Sequence, residues 1–507
     1  MEYSAIFVKD YTLVDDQSPL LHQATKDEVG KAMKRDHLIE INETNDQDQL
    51  GLHANTKPCT IFKVNVGLRK SNPDAYTPML ISIGPYHYKN PELGSMEKYK
   101  LLYRRRFLQR KAGLDEESCI SEIEKMKYEV LNCYDNIEDL DIDIISKFSE
   151  IIFLDGCFVV EFIREYRGMI PEGEDRIINN NYMINLACRD LLLLENQLPF
   201  FVLTKLHYMT KEVDEMPFAK LVKDTFSKLP EMDPASYFAY YLESHAENIT
   251  HLLEVVHMNP HPSYWYPHPF KKCGNKNTQT WQANMPNATE LCEAGVRFSK
   301  VGNIYSDLGD STTLFDIKFK NGHMKIPCFE VDDYTEIPFS YSDLGDSTAL
   351  FDIKFENGQM KIPCFEVNDY TETLFRNLVA YEQQSCDVHP KCFSDFAAFM
   401  DYLIDSDKDV SLLRRKGIIS NQLGEDNEVA NIFNKIGQGI IFSTDFYYKD
   451  LCRAAIQHSE KPWNRIMANL RSNYFHSPWA GASTVAAIIL LLLTATQTVL
   501  SFISLFK

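Results

Sequence analysis

The chain has 507 residues, 44% hydrophobic and 24% charged, and this ordinary composition excludes collagen, a coiled-coil rod and a fully disordered chain. Its 72 acidic residues outnumber 52 lysines and arginines, so the net charge of −20 repels phosphate backbones and we expect no nucleic-acid partner. Twelve irregularly spaced cysteines indicate reduced thiols rather than a disulfide scaffold, and a mean hydropathy of −0.29 excludes a polytopic membrane protein.

The N-terminal region is acidic and polar, and its stretch DHLIEINETNDQDQ has no hydrophobic period. We interpret residues 1–55 as a disordered acidic arm, because such a composition buries too little apolar surface to fold. We expect no secretory signal peptide, since MEYSAIFVKDYTLVDDQ contains acids and lacks an apolar run of sufficient length.

A small β element is predicted after the arm. TIFKVNVGL (60–68) alternates apolar and polar residues, and Met79 to Ile83 forms a second short candidate strand between turn-rich segments. Residues 95–109 are rich in Lys, Arg and Leu and predict a helix. Its basic run Tyr103-Arg-Arg-Arg has two interpretations, a contact with an anionic partner or a solvated helix face, and we favour the solvated face.

Buried helices are predicted between residues 115 and 206, where three polar residues stand in apolar surroundings. Asp155 lies in IIFLDGCFVVEFI, and Glu195 and Asn196 lie between LLLL and LPFF, before Pro199, which should kink or restart the helix. A buried carboxylate must be hydrogen-bonded, paired or protonated, and burial raises its pKa. Asp155, Glu195 and Asn196 therefore form either a structural hydrogen-bond hub, which is commoner, or a functional site.

Two groups of residues have the chemistry of metal ligands. They are His257, His261, His268 and Cys273 in and before an irregular segment at 258–290, and Cys386, His389 and Cys392 further on. Their spacings match no standard zinc pattern, so we predict no metal site.

A tandem repeat occupies residues 305–376. YSDLGDSTTLFDIKFKNGHMKIPCFEVDDYTEIPFS (305–340) is followed at once by a copy (341–376) that differs at seven of 36 positions. Each copy predicts a β-hairpin, since FDIKF and MKIPCF alternate around an Asn-Gly turn. Two copies are too few for a solenoid. Only the second copy runs into the helical pattern TETLFRNLVAYEQ, so we expect one hairpin to be native and the other an insertion.

The C-terminal end predicts a transmembrane helix. No charged residue occurs from Trp479 to Phe506, and the centre, Val485 to Leu493, is wholly apolar. About 20 apolar residues suffice to cross the hydrocarbon of a bilayer. The residues expected in the anchor include Trp479, Val485, Leu490, Leu493 and Phe506. The polar Thr494, Thr496, Gln497 and Thr498 either return hydrogen bonds to their own helix or face a partner helix.

The topology follows from the charges beside this span. Lys461, Arg465 and Arg471 precede it, while Lys507 alone follows it, so the positive-inside rule places the large N-terminal part in the cytosol. Glycosylation triplets at Asn42, Asn248 and Asn287 would require the opposite topology, but such triplets arise often by chance. The expected location is a single-pass, tail-anchored position in the plasma membrane or an endomembrane.

These patterns predict a mainly α fold with a small β element (α+β), in which a large helical cytosolic domain precedes one transmembrane helix. The expected domains are residues 1–55, 56–476 with the duplication at 305–376, and 477–507. Sequence motifs for P-loop, G-x-S-x-G, H-E-x-x-H and kinase chemistry do not occur. Cys157 would need an activating histidine to act as a nucleophile. The sequence therefore contains no recognised catalytic motif, and we predict no cofactor.

Six segments together resemble one known family. They are IFKVNVGLRKSNPDAYTPMLISIGPYHY (61–88), IIFLDGCFVVEFI (151–163), DLLLLENQLPFFVLTKL (190–206), ATELCEAGVRF (288–298), FDIKFENGQMKIPCFEVNDYTETLFRNLVAYEQ (351–383) and FMDYLIDSDKDVSLLRRKGIISNQLGEDNEVANIFNKI (399–436). The chain resembles, from about residue 60 to its end, the plant domain of unknown function number two hundred and forty-seven, also called plant transmembrane proteins. It departs from that pattern in the doubled hairpin and at Asn65 and Gly67, where a Val-Pro pair is usual.

The resemblance implies a plant membrane protein without established enzymatic activity, and some grass members are implicated in self-incompatibility. Because no family residue is known as catalytic, none is carried over. Two functions stay open, beside a third hypothesis of a metal-dependent module, which predicts zinc in the purified protein. The first is a membrane-tethered protein that recognises an unknown protein partner or signals. The alternative is an enzyme of unrecognised type that uses Asp155, Glu161 or Glu195. The oligomeric state is not predicted.

Overall fold

The computed structural model describes residues 59–169, 180–226, 248–258, 285–301, 318–320, 323–325, 353–441, 446–464, 466 and 478–505. The chain divides into two units, Met1–Pro58 and Cys59–Lys507, and every described residue belongs to the second. The predicted arm at 1–55, His261, His268, Cys273 and Phe506 lie outside the described residues.

Helices dominate the described residues up to the repeat, as the sequence predicts. They are α1 (Val66–Arg69), α2 (Glu97–Gln109), α3 (Glu116–Glu124), α4 (Lys127–Leu131), α5 (Ile142–Ser146), α6 (Phe148–Tyr166), α7 (Asn181–Asp190), α8 (Phe200–Thr210), α9 (Phe218–Phe226), α10 (Leu252–Met258) and α11 (Ala288–Glu293). Short 3-10 helices occupy Pro73–Tyr76, Pro91–Met96 and Ile137–Asp139.

The strands are few and short, and helices follow them. The strands are β1 (Arg297–Val301), β2 (Lys318–Lys320), β3 (His323–Lys325), β4 (Lys354–Glu356), β5 (Gln359–Pro363), β6 (Phe365–Val367) and β7 (Ile419–Asn421). The remaining helices are α12 (Thr371–Gln384), α13 (Cys392–Leu403), α14 (Asp407–Arg415), α15 (Asp426–Ile436), α16 (Lys449–Ser459) and α17 (Pro478–Leu505). A mainly helical fold with a few small strands is thus confirmed.

Helix α6 forms the centre of the first half. It is apolar on nearly all sides and packs against α2, α3, α8 and α9, as its near-continuous hydrophobic run predicts. Gly156 allows the close approach of α8, because a Cβ atom there would lie 2.3 Å from Leu206 Cδ1. Cys157 on the same helix is fully buried, and burial raises its pKa well above the ordinary value. Such a thiol is a packing residue rather than a nucleophile.

An aromatic cluster holds the second half together. Phe365 of β6 lies 5.3 Å from Phe375 of α12 and 5.8 Å from Phe396 of α13, measured between ring centroids. The same ring lies 6.0 Å from Phe433 of α15. Edge-to-face pairs at such distances add to the burial energy of aromatic rings, so β6 serves as the packing centre for these three helices.

The two predicted hairpins are present. In the second copy β4 pairs antiparallel with β5, and β5 pairs parallel with β1, which gives the strand order β1-β5-β4. In the first copy β2 and β3 form a separate two-stranded sheet, where Phe319 faces Met324 just as Phe355 faces Met360 in the second copy. The strand register is therefore the same in both copies.

The prediction of strands at 60–68 and 79–83 is wrong. Residue Ile61 makes only an isolated bridge with Tyr134, and α1 replaces the rest of the first strand. Asn65 begins this helix as its N-cap, since its side chain accepts a hydrogen bond from the Gly67 N–H at 2.8 Å. The second segment is irregular, and its backbone bonds to side chains.

Helix α17 contains four of the five predicted anchor residues, Trp479, Val485, Leu490 and Leu493. Its described large apolar residues are 49–70% exposed, with Leu490 at 64% and Leu493 at 62%. Among the residues described with their side chains, no helix combines the length and apolarity required of a membrane span. The transmembrane character of this end therefore stays a prediction.

Candidate functional site

Two of the three residues selected from the sequence, Asp155 and Asn196, bond one irregular stretch of backbone, MLISIG (79–84), which we call the 79–84 segment. Its first three N–H groups, from Met79, Leu80 and Ile81, all donate to the carboxylate of Asp190 at 2.7–3.1 Å. Burial raises the pKa of Asp190, and these three donors act against that rise. One side chain thus satisfies three backbone groups that have no neighbouring strand.

Asn196 continues the same arrangement. Its Oδ1 accepts a hydrogen bond from the Ile83 N–H at 2.7 Å, while its Nδ2 donates to the Ile81 carbonyl at 3.0 Å. The Nδ2 group also donates to the carbonyl of Asp190 at 2.9 Å. Because the primary amide offers a donor and an acceptor side by side, it bonds the segment as a neighbouring strand would.

Asp155 binds the far end of the segment. Its Oδ2 accepts a hydrogen bond from the Gly84 N–H at 2.9 Å, and its Oδ1 lies 2.7 Å from Nζ of Lys100. Lys100 is itself only 1% exposed and also contacts Glu97 Oε1 at 3.1 Å and Ser82 Oγ at 3.3 Å. Burial raises the pKa of Asp155, as the sequence predicts, while Lys100 and the Gly84 N–H oppose the rise.

Glycine is required at position 84 by both conformation and space. Gly84 has a φ of +76°, and a Cβ atom there would lie 2.8 Å from the carbonyl oxygen of Gln197. The same carbonyl accepts a hydrogen bond from the Tyr134 hydroxyl at 2.9 Å. The segment therefore ends in a tight contact with the residues that follow Asn196.

Glu195 bonds a second, neighbouring stretch of backbone. Its Oε1 accepts a hydrogen bond from the Val64 N–H at 2.6 Å, and its Oε2 lies 2.6 Å from a guanidinium nitrogen of Arg69. Nε2 of His87 stands 3.2 Å from Oε2. Burial alone would raise the pKa of Glu195, but His87, Arg69 and Val64 together lower it. The predicted rise is therefore wrong for this residue.

Two polar residues of α12 complete the attachment and were missed from the sequence. Gln384 accepts from the Asn65 N–H at 2.9 Å and donates to the Lys63 carbonyl at 2.8 Å. Asn377 accepts from the Leu194 N–H at 2.9 Å and donates to the Ala75 carbonyl at 2.8 Å. Polar residues on an amphipathic helix carry no local signal of burial. Asp190 was missed as well, although its position directly before the apolar run LLLL could have indicated burial.

Glu161, the third carboxylate of the enzyme hypothesis, has a different set of partners. Arg110 binds both of its oxygens, at 2.7 and 2.9 Å, and Arg164 donates to its Oε1 at 2.8 Å. Arg164 is fully buried and also binds both oxygens of Glu215, at 2.6 and 3.0 Å. His207 and Arg164 hold the pKa of Glu215 well below its ordinary value, against the effect of burial.

The basic run in α2 is largely internal. Arg106 is buried and donates to Glu165 at 3.0 Å, and the hydroxyl of Tyr103 bonds the same carboxylate. Arg104 pairs with Glu116 at 2.7 Å, and Arg105 is exposed. Arg104 and Arg105 fit the predicted solvated face, whereas Tyr103 and Arg106 are buried and bind the protein itself.

The metal candidates that lie within the described residues do not cluster. His257 has its Nε2 2.9 Å from Oε1 of Glu382, and Glu382 accepts the N–H groups of Phe393 and Ser394 at 3.0 and 2.7 Å. No group of three potential ligands occurs within the described part of the chain. The Glu382 carboxylate instead bonds the first turn of α13.

Chemically, these side chains act on the protein's own backbone. Asp155 and Asn196 are 1% exposed and Glu195 is 6% exposed, and each accepts at least one hydrogen bond from a main-chain N–H. A carboxylate engaged in this way fastens an irregular segment, because releasing it would leave buried donors unpaired. The geometry is that of a hydrogen-bond hub joining residues 63–84 to α6, α12 and the turn after α7.

Comparisons with known proteins identify one family. A family model described as DUF247, plant protein of unknown function, matches residues 61–340 and again residues 337–493. The UPF0481 protein At3g47200 of Arabidopsis thaliana is 25% identical over 468 residues, which cover 89% of this chain and 88% of that protein. A second UPF0481 protein of the same plant, At3g02645, is 24% identical over 527 residues, covering 86% and 89%. No solved structure matches.

The two matches of the family model overlap at residues 337–340, the end of the first repeat copy. The first match therefore contains the first copy, and the second match contains the second copy. Together they cover most of the chain, including the hub and the first part of α17. The chain therefore belongs to the DUF247 family of plant proteins of unknown function.

Proposed function

We propose that the protein is a membrane-tethered recognition module, in which α17 lies in the bilayer and the domain before it binds another protein. The observation that carries the proposal is the exposure of α17. Its leucines from Leu490 to Leu493 are 62–70% exposed, whereas the apolar residues of the preceding helices are mostly buried. A contiguous apolar surface of this kind is costly in water and favourable in lipid.

The dimensions and polar groups of α17 support insertion. The helix has 28 residues and no charged one, and at about 1.5 Å per residue it exceeds the roughly 30 Å of bilayer hydrocarbon. Thr494 and Thr496 donate their hydroxyl hydrogens to the carbonyls of Leu490 and Leu492 at 2.7 and 2.6 Å. This lowers the cost of placing hydroxyls in lipid, because they are already paired.

Topology and membrane identity are part of the proposal. The lysine and two arginines before the span favour a cytosolic domain, and a plasma membrane or endomembrane is the expected site. The hub weighs against the enzyme alternative, since Asp155, Glu195 and Asn196 bond the protein's own backbone and have a structural task. Self-incompatibility, in which some grass members of the resembling family are implicated, is one form of such recognition.

An extraction experiment tests the tether. Vesicles carrying the full-length chain and a chain ending at Ser477 are washed with alkaline carbonate. We expect the full-length protein to stay with the membrane and the shortened one to be released. A full-length variant with Leu490→Arg and Leu493→Arg should be released as well, while Leu490→Ala and Leu493→Ala should be retained, because arginine at the centre of a span is far costlier than alanine. Release of the unaltered protein would contradict the tether.

Proximity labelling tests the recognition part. The full-length protein and the chain ending at Ser477 are each fused to the same labelling enzyme in plant cells. We expect a partner protein to be enriched only with the tethered form, because tethering raises the local concentration of both partners at one membrane. Identical sets of labelled proteins for the two forms would argue against tethered recognition even if the carbonate result held.

The alternative of an enzyme rests on the raised pKa of the buried Asp155. Perturbed carboxylates also occur in catalytic sites, so this hypothesis makes a distinct prediction for the hub. An enzyme should stay folded and lose its reaction when a catalytic carboxylate is changed, whereas a hub should lose stability. The Glu195→Gln variant described in the Discussion separates the two.

A further inference from the structure

A tryptophan lies on the surface of the domain, a short distance along the chain before α17. Trp463 is 69% exposed, although tryptophan is on average a highly buried residue in folded proteins. It belongs to a short helical stretch after α16, described at residues 462–464 and 466. Ile466, on the same stretch, is 51% exposed. Because residues three apart in a helix share a face, these two apolar side chains point out of the domain together.

The stretch is attached to the domain, so this exposure is not that of a frayed chain end. The Asn464 side chain donates to the His458 carbonyl at 2.9 Å, and the Asn464 N–H donates to the Lys461 carbonyl at 3.0 Å. The Asn464 carbonyl oxygen packs on the turn before β1, where a Cβ atom on Gly295 would lie 3.2 Å from it. These contacts bind the residue beside Trp463 to α16 and to that turn, so the tryptophan has a fixed place on the surface.

The charge of the chain changes at the same point. Glu460 is the last of its 72 acidic residues, and the charged residues that follow are Lys461, Arg465, Arg471 and Lys507. Lys461, two residues before the tryptophan, is exposed. A protein with a net charge of −20 is repelled by anionic lipid as a whole. The basic end of the chain is therefore the part whose charge suits an anionic membrane surface.

The covalent link to α17 keeps this surface near the proposed span. Pro478, the first residue of α17, follows Ile466 by 12 positions. An extended chain of that length reaches roughly 40 Å, and a flexible one spans about 20 Å. The headgroup layer on each side of the hydrocarbon is only about 5–7 Å thick. Trp463 and Ile466 can therefore reach the headgroups beside an inserted α17.

The chemistry of these side chains matches the boundary between lipid headgroups and hydrocarbon. The indole ring has an apolar body and one N–H donor, and tryptophan is enriched at that boundary for this reason. Ile466 adds apolar area, and basic residues beside it attract anionic headgroups. A protein partner is the other possible occupant of this surface. The covalent connection to α17 and the end of the acidic residues at Glu460 favour lipid.

We propose that Trp463 and Ile466 form a second membrane contact, in which both side chains insert among the headgroups of an anionic leaflet and Lys461 binds those headgroups. The inference rests on the proposed tether through α17 and deepens it, because it identifies the face of the domain that lies on the membrane. The end of α16 faces the lipid, and the domain is oriented by two contacts instead of one.

Tryptophan fluorescence of the full-length protein in vesicles of phosphatidylcholine and phosphatidylserine tests the proposal. In the first variant, Trp265→Phe, Trp281→Phe and Trp479→Phe leave Trp463 as the only tryptophan. Phosphatidylcholine brominated near the headgroup or near the tail end of its chains is the quencher in the membrane, and acrylamide is the quencher in water. We expect a larger loss of fluorescence with the shallow bromines than with the deep ones, and little loss with acrylamide.

Two control variants each contain a single tryptophan as well. In one, Trp479 is the tryptophan retained, and its quenching by brominated lipid reports the insertion of α17 itself. In the other, all four native tryptophans are changed to phenylalanine and Tyr128→Trp places the ring at a 71% exposed position on α4. We expect this second control to be quenched by acrylamide and not by brominated lipid.

The outcomes separate the new contact from the tether. The proposal is overturned if Trp479 is quenched by brominated lipid while Trp463 behaves like the Tyr128→Trp control. If brominated lipid leaves Trp479 unquenched, the tether fails and the second contact fails with it. Where circular dichroism shows that the three replacements disturb the fold, the single variant Trp463→Phe decides. The lipid quenching of the unaltered protein should fall in that variant, and unchanged quenching would overturn the proposal.

Discussion

In the 79–84 segment the backbone N–H groups bond to buried side chains, whereas in the sheet of β1, β4 and β5 they bond to backbone carbonyls. The ladder of the sheet depends on many similar bonds, so an individual side chain is replaceable as long as its shape and polarity fit. In the segment, one carboxylate accepts from three N–H donors, so the loss of one polar side chain leaves several buried donors without an acceptor. Mutations should therefore cost far more in the hub than on the face of the sheet.

The largest effect is expected for Asp190→Ala. This change leaves the N–H groups of Met79, Leu80 and Ile81 buried without their acceptor, and we expect a loss of about 3–5 kcal/mol in the free energy of unfolding. Denaturant unfolding followed by circular dichroism measures it. Asp387→Ala, at an exposed position, is the matched control and should change stability by less than about 0.5 kcal/mol. Equal effects of the two changes would remove the distinction between hub and surface.

Glu195→Gln should have the next largest effect. Glutamine keeps an acceptor for the Val64 N–H but loses the charge that pairs with Arg69 at 2.6 Å. We expect a loss of about 1–3 kcal/mol, because a hydrogen bond to a charged group is replaced by a neutral one and Arg69 loses its counter-ion. The melting temperature and unfolding midpoint are the measurements. A fully stable variant that has lost a measurable reaction would instead support the enzyme hypothesis.

The same residue predicts a pH dependence with a definite sign. The folded chain lowers the pKa of Glu195 below its ordinary 4.5, so the unfolded chain takes up a proton at a higher pH than the folded one. Its contribution is fully present above about pH 4.5 and is lost as the pH falls through the folded pKa. The stability difference between the unaltered protein and Glu195→Gln should therefore shrink on acidification. A difference that stays constant between about pH 7 and pH 3 would exclude this linkage.

The contrast between the two regions also explains which features could be predicted. The hairpins were predicted with their turns, because Asn-Gly and alternation are local signals that act within a few residues. Residues 79–83 of the 79–84 segment were predicted as a strand, since their apolar side chains are typical of one. What prevents a strand there is a set of partners, Asp155, Asp190 and Asn196, that lie 71 to 113 residues away along the chain. No local pattern contains that information.

Within the hub, a polar residue could be predicted from the sequence only where its neighbours along the chain are apolar. Glu195 and Asn196 were identified because they begin a polar interruption, Glu-Asn-Gln, of an otherwise apolar run. Asn377 and Gln384 were missed, because polar residues on α12 look like an ordinary solvent face. The direction of the Glu195 pKa was missed for a related reason. Burial was evident from the sequence, but Arg69 and His87, which outweigh it, are brought close only by the fold.

The smallest effect is expected on the face of the sheet, at Glu356. This residue is 65% exposed and lies 3.8 Å from Lys361, so Glu356→Lys should lower stability by only about 0.3–0.5 kcal/mol. The matched change in the first hairpin, Lys320→Glu, should leave stability unchanged, because β2 and β3 do not pair with the sheet of β1, β4 and β5. Thermal unfolding at low salt measures both changes. A loss for Glu356→Lys as large as the loss for Asp190→Ala would remove the contrast between the face of the sheet and the hub.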